Sequence, residues 1–373
     1  MDIKDFLDIF KNNNIKNFFG VPDSLLKELS LSIDTDKYFS HMIMPSEGSA
    51  VAASIGSFIK SQTPSCVYMQ NSGLGNAINP ITSLTVKEVY NIPFILLVGH
   101  RGKPNTDYQD EPQHKFMGKI TEDLIKILKI NYIKIDNSIS KEFIEKKISR
   151  AVSKKVPLCI LIDKNTFIKK DTNLAKKKLV QVSNNTITRK KFFELLVSKI
   201  NKKDIVVTST GFNSRELYSQ KIDKNNNNKY FYCIGGMGHT MSIASLIAHK
   251  NSNRVFCIDG DGSLLMHLGS ISNIINIENK NFFHICLNNN CHESVGGQKI
   301  TNTKINFHKL AKQLGYDNVI KINYMKELNK LLNNLSKLKG KIFINISIKT
   351  ISENSLPRPK KKPKYYLEKL LNA

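Results

Sequence analysis

Ile258-Asp259-Gly260-Asp261-Gly262-Ser263, followed further along by Leu287-Asn288-Asn289-Asn290, is the pair of segments from which the fold is read. An apolar run leads into Gly-Asp-Gly, residues 263–287 carry a helical pattern and a second apolar run, and that run delivers Asn at its end. Strand, glycine turn, helix and strand in this order describe a parallel β-α-β unit, and in parallel sheets ligands bind outside the carboxyl ends of the strands. Gly-Asp-Gly alone reads better as a plain strand-to-helix turn, with Asp and Gly serving the turn. The Asn pair at this spacing changes the reading to a metal-bridged diphosphate site. Asp261 offers a hard anionic oxygen and Asn289 a neutral one, and Mg²⁺ takes few protein oxygens beside those of phosphate. Gly260 and Gly262 let the backbone come close, and the helix expected from Ser263 onward points its first N–H groups at the anion.

The same alternation extends in both directions. Toward the N-terminus the strand-like runs are 18–21, 39–44, 66–69, 94–98, 132–135 and 158–162; toward the C-terminus they are 205–208, 230–234, 255–258, 282–287, 319–322 and 342–346. Helical periodicity fills the gaps, for example over 49–58, 191–200 and 263–277. Continuous apolar strands alternating with helices predict an α/β fold of two doubly wound parallel-sheet domains, each sheet covered on both faces. The expected boundaries are 1–168 for the first domain, 169–188 for a Lys-, Asn- and Thr-rich linker, and 189–373 for the second. The stretch 356–364 reads as an extended basic arm before a last short helix.

Composition narrows the class. A chain of 373 residues suits two domains of about 150 residues each. Six cysteines exclude a disulfide scaffold, and none are spaced as C-x-x-C, so a zinc ribbon or thioredoxin-type motif is excluded too. The expected compartment is a reducing cytoplasm. No apolar run reaches the roughly 18 residues of a membrane helix, and the charged, amphipathic first ten residues lack the layout of a secretory signal. The net charge of +25 raises a second hypothesis, a basic nucleic-acid-binding protein on an inert α/β fold. Against it, only Arg101, Arg150, Arg189, Arg215, Arg254 and Arg358 are arginines, whereas base readers favour Arg. Spread lysine reads as general surface charge, and its positive field also draws in a small anionic substrate.

Gly-Asp-Gly followed by Asn-Asn resembles the signature of the thiamine-diphosphate-dependent enzymes. The resemblance covers nearly the whole chain. It implies that thiamine diphosphate and Mg²⁺ are the cofactors, and that Asp261 and Asn289 hold the metal with side-chain oxygens and Cys291 with its backbone carbonyl. Gly235-Gly236-Met237-Gly238-His239 is similar to the family's glycine turn. Met237 would then wedge beneath the cofactor, and the Gly235 carbonyl would accept from its amino group. In the first domain Met44-Pro45-Ser46-Glu47-Gly48 matches the segment in which Glu47 faces the pyrimidine ring. Gln70-Asn71-Ser72-Gly73 resembles the glycine-rich loop on the catalytic side, placing Asn71 at the cofactor. The first domain would be pyrimidine-binding and the second diphosphate-binding, with no room for the middle domain of larger relatives.

Two further groups of residues narrow the branch. Asn290-Cys291-His292-Glu293-Ser294-Val295-Gly296-Gly297-Gln298 is one, and Gly99-His100-Arg101-Gly102 with Asp110-Glu111-Pro112-Gln113-His114 is the other. They resemble the branch that decarboxylates 2-oxo acids with a second anionic head: phosphonopyruvate first, giving phosphonoacetaldehyde and CO2 in phosphonate biosynthesis, and sulfopyruvate as the alternative. Arg101, His114 and His292 would then meet the substrate beside Glu47, with Gln113 and Gln298 as neutral donors; a structural hydrogen bond is the competing role for each His. His239 is expected to cap its helix. The resemblance also implies a homodimer or larger homo-oligomer, with each cofactor held between two subunits and no nucleic acid or membrane among the partners.

Overall fold

The computed structural model describes residues 1–104, 106, 110–167, 187–220, 229–350, 356–359 and 361–372. The expected linker lies almost wholly outside them, as does most of the loop 103–109. The chain divides into two compact units, Met1–Leu179 with Val295–Thr301, and Val180–Ser294 with Asn302–Ala373.

The first unit carries β1 (Asn17–Gly20), β2 (Ser40–Ile43), β3 (Ser65–Gln70), β4 (Phe94–Gly99), β5 (Asn131–Ile135) and β6 (Leu158–Ile162). They form one parallel sheet in the order β2-β1-β3-β4-β6-β5. Every residue of β4 and β6 is buried, as a sheet covered on both faces requires. One face packs on Phe6, Phe10, Phe18 and Ile148, the other on Ala50, Leu74, Ile81 and Ile125. Each such large side chain removed from water contributes about 1.5–3 kcal/mol.

The second unit carries β7 (Ile205–Thr208), β8 (Lys229–Tyr232), β9 (Val255–Gly260), β10 (Asn281–Asn288), β13 (Asn318–Ile322) and β14 (Gly340–Ser347), ordered β13-β14-β10-β9-β7-β8 and again parallel. Two-residue strands β11 (Cys291–His292) and β12 (Gln298–Lys299) lie outside both six-stranded sheets. All twelve expected strands are present.

Three local expectations change. The helix expected over 263–277 is two pieces, an α-helix Asp261–Met266 and a 3₁₀ stretch Leu268–Asn276, broken at His267 with φ −129° and ψ 55°. Its start falls at Asp261, two residues before the expected one. The helix expected over 191–200 spans Arg189–Val197, because the Thr188 hydroxyl accepts from the Lys191 N–H at 3.0 Å and caps it. The last helix, Pro363–Leu371, begins with Pro in its first turn. It is held by Tyr366, whose ring lies 5.4 Å from that of Tyr232 and 6.3 Å from that of Tyr218.

Candidate active site

β7, β9 and β10 are neighbours, so the loops leaving their carboxyl ends meet at one edge of the second sheet. A cavity opens there, lined by Ser209, Asn213, Met237, Asp261, Asn289 and Cys291 among others, with Gly260, Gly262, Ser263 and His292 also on its wall. Asp261 is the first residue of its helix and is buried. One carboxylate oxygen accepts from the Gly262 N–H at 2.8 Å; the other accepts from Asn289 at 3.1 Å and Asn290 at 2.5 Å. Burial pushes its pKa up to about 7, against those three N–H bonds and the charge of Arg189. A buried carboxylate that strains toward neutrality is matched by a hard cation.

Asn289 is oriented from behind. Its Nδ2 donates to Glu293 Oε2 at 2.9 Å, while its Oδ1 accepts only a 3.2 Å bond from the Cys291 N–H. The oxygen thus keeps a lone pair for a ligand. The donor set fits Mg²⁺: two hard side-chain oxygens on loops that share one cavity. The Cys291 thiol is not part of that set, since burial pushes it up to about 12 and it sits 3.5 Å from the Thr350 hydroxyl.

The glycine turn supports the same cavity. Gly236 and Gly238 have φ of +63° and +87°, a region that favours glycine. The Gly238 N–H donates to Ser263 Oγ at 3.1 Å, which ties the turn to the Asp261 helix, and Met237 reaches the cavity wall whereas Gly235 is not part of it. His239 stands at the N-cap position of its helix without a side-chain cap bond; its ring instead stacks on His267 at 4.4 Å. His292 is half-buried on the cavity wall, and desolvation pushes its pKa down to about 4.

Sequence reading missed three members of this cavity. Arg189 donates from Nε to Asn213 Oδ1 at 3.0 Å and from its NH2 nitrogen to Glu293 Oε2 at 2.6 Å. Glu293, Arg189 and Asn213 thus form one chain of bonds behind Asn289. Arg189 was hidden because it abuts the low-complexity linker.

In the first unit the carboxyl ends of β2, β1, β3 and β4 are again neighbours. Glu47 opens the helix Glu47–Ser61, capped by Ser46, whose Oγ accepts from the Ser49 N–H at 3.3 Å. Its side chain is buried, burial raises its pKa, and Asn76 Nδ2 donates to Oε2 at 2.8 Å. A Cβ on Gly73 would stand 2.5 Å from Glu47 Oε1, so glycine there makes room for the carboxyl. A fixed, buried acid with a raised pKa fits a ring nitrogen that takes a hydrogen bond.

Asn71 is a correction. Both N–H bonds of its Nδ2 are spent inside the unit, on the Arg101 carbonyl at 2.8 Å and Thr121 Oγ1 at 2.9 Å, and its Oδ1 accepts from the Arg101 N–H at 3.3 Å. It anchors the turn that carries Arg101 instead of facing a cofactor. Arg101 is no free cation either. Its guanidinium bridges Asp110 at 2.8 and 2.6 Å and donates to Ser24 Oγ at 3.0 Å, which leaves two of its five N–H groups. His114, near the start of the helix Pro112–Ile127, adds its field at Asp110. Gln298 donates to Ser30 Oγ at 2.7 Å. His100 is buried and bonded to the Gly118 carbonyl at 3.1 Å. Asp23, unremarked in the sequence, is buried beside Arg101, with its pKa pushed up to about 6 by burial against the Arg101 charge.

Comparison with known proteins agrees with this geometry. Residues 4–126 match the N-terminal TPP-binding domain of thiamine pyrophosphate enzymes, and residues 213–346 match the C-terminal TPP-binding domain. The sulfopyruvate decarboxylase subunit beta of Methanocaldococcus jannaschii is 35% identical over 160 residues, 43% of this chain and 81% of that protein. The chain belongs to the thiamine-diphosphate-dependent enzymes, in their decarboxylase branch. Within that branch it is similar to the phosphonopyruvate decarboxylase of Streptomyces viridochromogenes, 29% identical over 356 residues, 92% of this chain and 87% of that one. The sulfopyruvate decarboxylase of Methanosarcina acetivorans is 23% identical over 94% of this chain and 92% of its own.

Proposed function

We propose that the protein decarboxylates 3-phosphonopyruvate to phosphonoacetaldehyde and CO2, with thiamine diphosphate and Mg²⁺, in phosphonate biosynthesis. The observation that carries this reading is the end-to-end similarity to a phosphonopyruvate decarboxylase together with a buried acid, Glu47, and a buried cation-seeking carboxylate, Asp261. When bound, thiamine diphosphate supplies the electron sink that a 2-oxo acid needs to release CO2.

This chain's residues do the rest. Asp261, Asn289 and the Cys291 carbonyl would hold Mg²⁺, which would supply positive charge for the diphosphate. Glu293, tied to Arg189, fixes the Asn289 amide so that its oxygen and not its nitrogen faces the metal. Glu47, desolvated and braced by Asn76, would offer its carboxyl proton to a ring nitrogen of the cofactor. Met237 supports the cofactor from the cavity wall. Arg101, with its two remaining N–H groups, and His114 read the second anionic head of the substrate; His292 contributes a neutral donor. The protein acts as a homodimer or larger homo-oligomer in the cytoplasm. Its six free, buried cysteines suit a reducing compartment, and among the described residues no helix is long and apolar enough to cross a membrane. Nucleic acid is not among its partners.

Sulfopyruvate is the second reading, favoured by the M. acetivorans relative. Steady-state assays with both oxo acids separate the two. The proposal expects kcat/KM for phosphonopyruvate to exceed that for sulfopyruvate by at least tenfold; the reverse order reassigns the substrate.

A further inference from the structure

A second cluster of ligating side chains lies inside the second unit. Cys257 and Asp259 alternate along β9, and β10 places His284 beside Cys257 and Cys286 beside Asp259 in the parallel ladder. The four side chains therefore share one face of the sheet. Around them the face is packed with Met241, Phe282, Phe343 and Ala311, with buried Asn345 of β14 beside Cys286. Cys257 Sγ, one Asp259 oxygen and one His284 ring nitrogen lie within 4.8 Å of one another, and all three residues are buried.

The polar atoms are not satisfied by the protein. Asp259 Oδ1 and His284 Nε2 are buried without a hydrogen-bond partner, in residues only 1% and 0% exposed. Asp259 Oδ2 stands 3.7 Å from His284 Nε2, too far for a hydrogen bond. An unpaired carboxylate in such a core costs several kcal/mol. The other ring nitrogen of His284 is already spoken for: Nδ1 meets the Tyr316 hydroxyl at 2.6 Å, and the Phe343 ring sits edge-on to the imidazole at 5.1 Å. A metal-bound histidine has this arrangement, one nitrogen oriented by an outer partner and the other directed at the ion.

We propose that Cys257, Asp259 and His284 form a structural site for a zinc-class divalent cation, separate from the Mg²⁺ site and independent of the assigned reaction. One sulfur, one oxygen and one nitrogen are a donor set that zinc accepts in tetrahedral geometry at roughly 2.0–2.3 Å. Three atoms within 4.8 Å of one another have a common centre no more than roughly 2.8 Å from each, so inward shifts of at most roughly 0.5–0.8 Å bring all three to ligand distance of that centre. Binding replaces the Cys257 thiol proton, which leaves to solvent. The remaining tetrahedral position is open to a water or to the neighbouring Cys286 thiol.

The test uses the full-length protein, purified from zinc-supplemented cells and treated with chelator to strip loosely held metal. Elemental analysis should give about one zinc per chain, and X-ray absorption at the zinc edge should show sulfur among the nearest neighbours. Cobalt(II) exchanged into the protein should give a sulfur-to-cobalt charge-transfer band, weakened at least tenfold in Cys257→Ser and in His284→Gln. Metal-free wild-type protein, a zinc edge showing oxygen and nitrogen neighbours only, or an undiminished cobalt band in folded Cys257→Ser would each overturn the proposal. The absorption edge of the wild type decides the matter if neither variant folds.

Discussion

At the scale of single residues, two carboxyls divide the work. Asp261 is buried where only a cation makes its charge tolerable, so Asp261→Ala should abolish retention of thiamine diphosphate. It should also erase the rise in melting temperature that cofactor and Mg²⁺ give the wild type, because that rise is ligand linkage. Calorimetric titration and thermal scans check both, and unchanged cofactor affinity would remove Asp261 from the site. Glu47 differs in kind: under the proposed function it tunes the cofactor more than it holds it. Glu47→Gln keeps the shape and the Asn76 contact and should bind cofactor within about tenfold of wild type, a difference of about 1.4 kcal/mol. It should lose roughly a hundredfold in kcat. Near-normal turnover at saturating cofactor would contradict the assignment. Both residues were legible in the sequence because each sits beside a glycine at the end of an apolar run. Arg189 and Asp23 were not. Neither lies in a motif, and what marks them, burial beside an opposite charge, exists only after folding.

Among elements, strands were read more reliably than helices. A buried strand is a compact apolar run that needs no partner information, and each of the twelve was visible, for example Leu158–Ile162. The helix expected over 263–277 has the right periodicity but breaks at His267, whose ring stacks on His239; a tertiary contact overrode a local pattern. Turns carry a sharper prediction. A methyl group at residue 73 would collide with the Glu47 carboxyl. Gly73→Ala should therefore lower kcat at least tenfold while leaving diphosphate affinity and the circular-dichroism spectrum unchanged. Loss of cofactor binding instead would mean that the loop supports the diphosphate side. The loop after β4 gives a pH prediction. Burial alone would raise the Asp110 pKa, but the Arg101 bonds and the Glu111 N–H outweigh it and hold it at about 2, below its ordinary 3.8. The stability it contributes is complete above the unfolded value and is lost as pH falls from about 4 through about 2. Asp110→Asn should be less stable than wild type at pH 6, and the gap should close toward pH 2. A gap that stays constant would show that the Arg101–Asp110 pair does not stabilise the fold.

For the whole molecule, the question is how a strongly basic chain serves a small-molecule reaction. Its +25 charge is carried mostly by lysines, while Arg101, Arg189 and Arg254 are each held by a buried carboxylate, Asp110, Glu293 and Asp204. Spread lysine draws small anions toward the surface, whereas Arg189 is fixed at the cavity of the second unit and Arg101 on the loop after β4. The substrate was only partly legible. Cofactor residues follow spacing, but which donors stay unspent once Asp110 has bonded Arg101 is recorded in no motif. The most direct test follows phosphonopyruvate by phosphorus NMR while trapped CO2 is counted, with and without added thiamine diphosphate and Mg²⁺. The account predicts one phosphonoacetaldehyde and one CO2 for each phosphonopyruvate consumed, and no turnover once either cofactor is stripped. Unchanged phosphonopyruvate with both cofactors present, or turnover that persists without them, would contradict it.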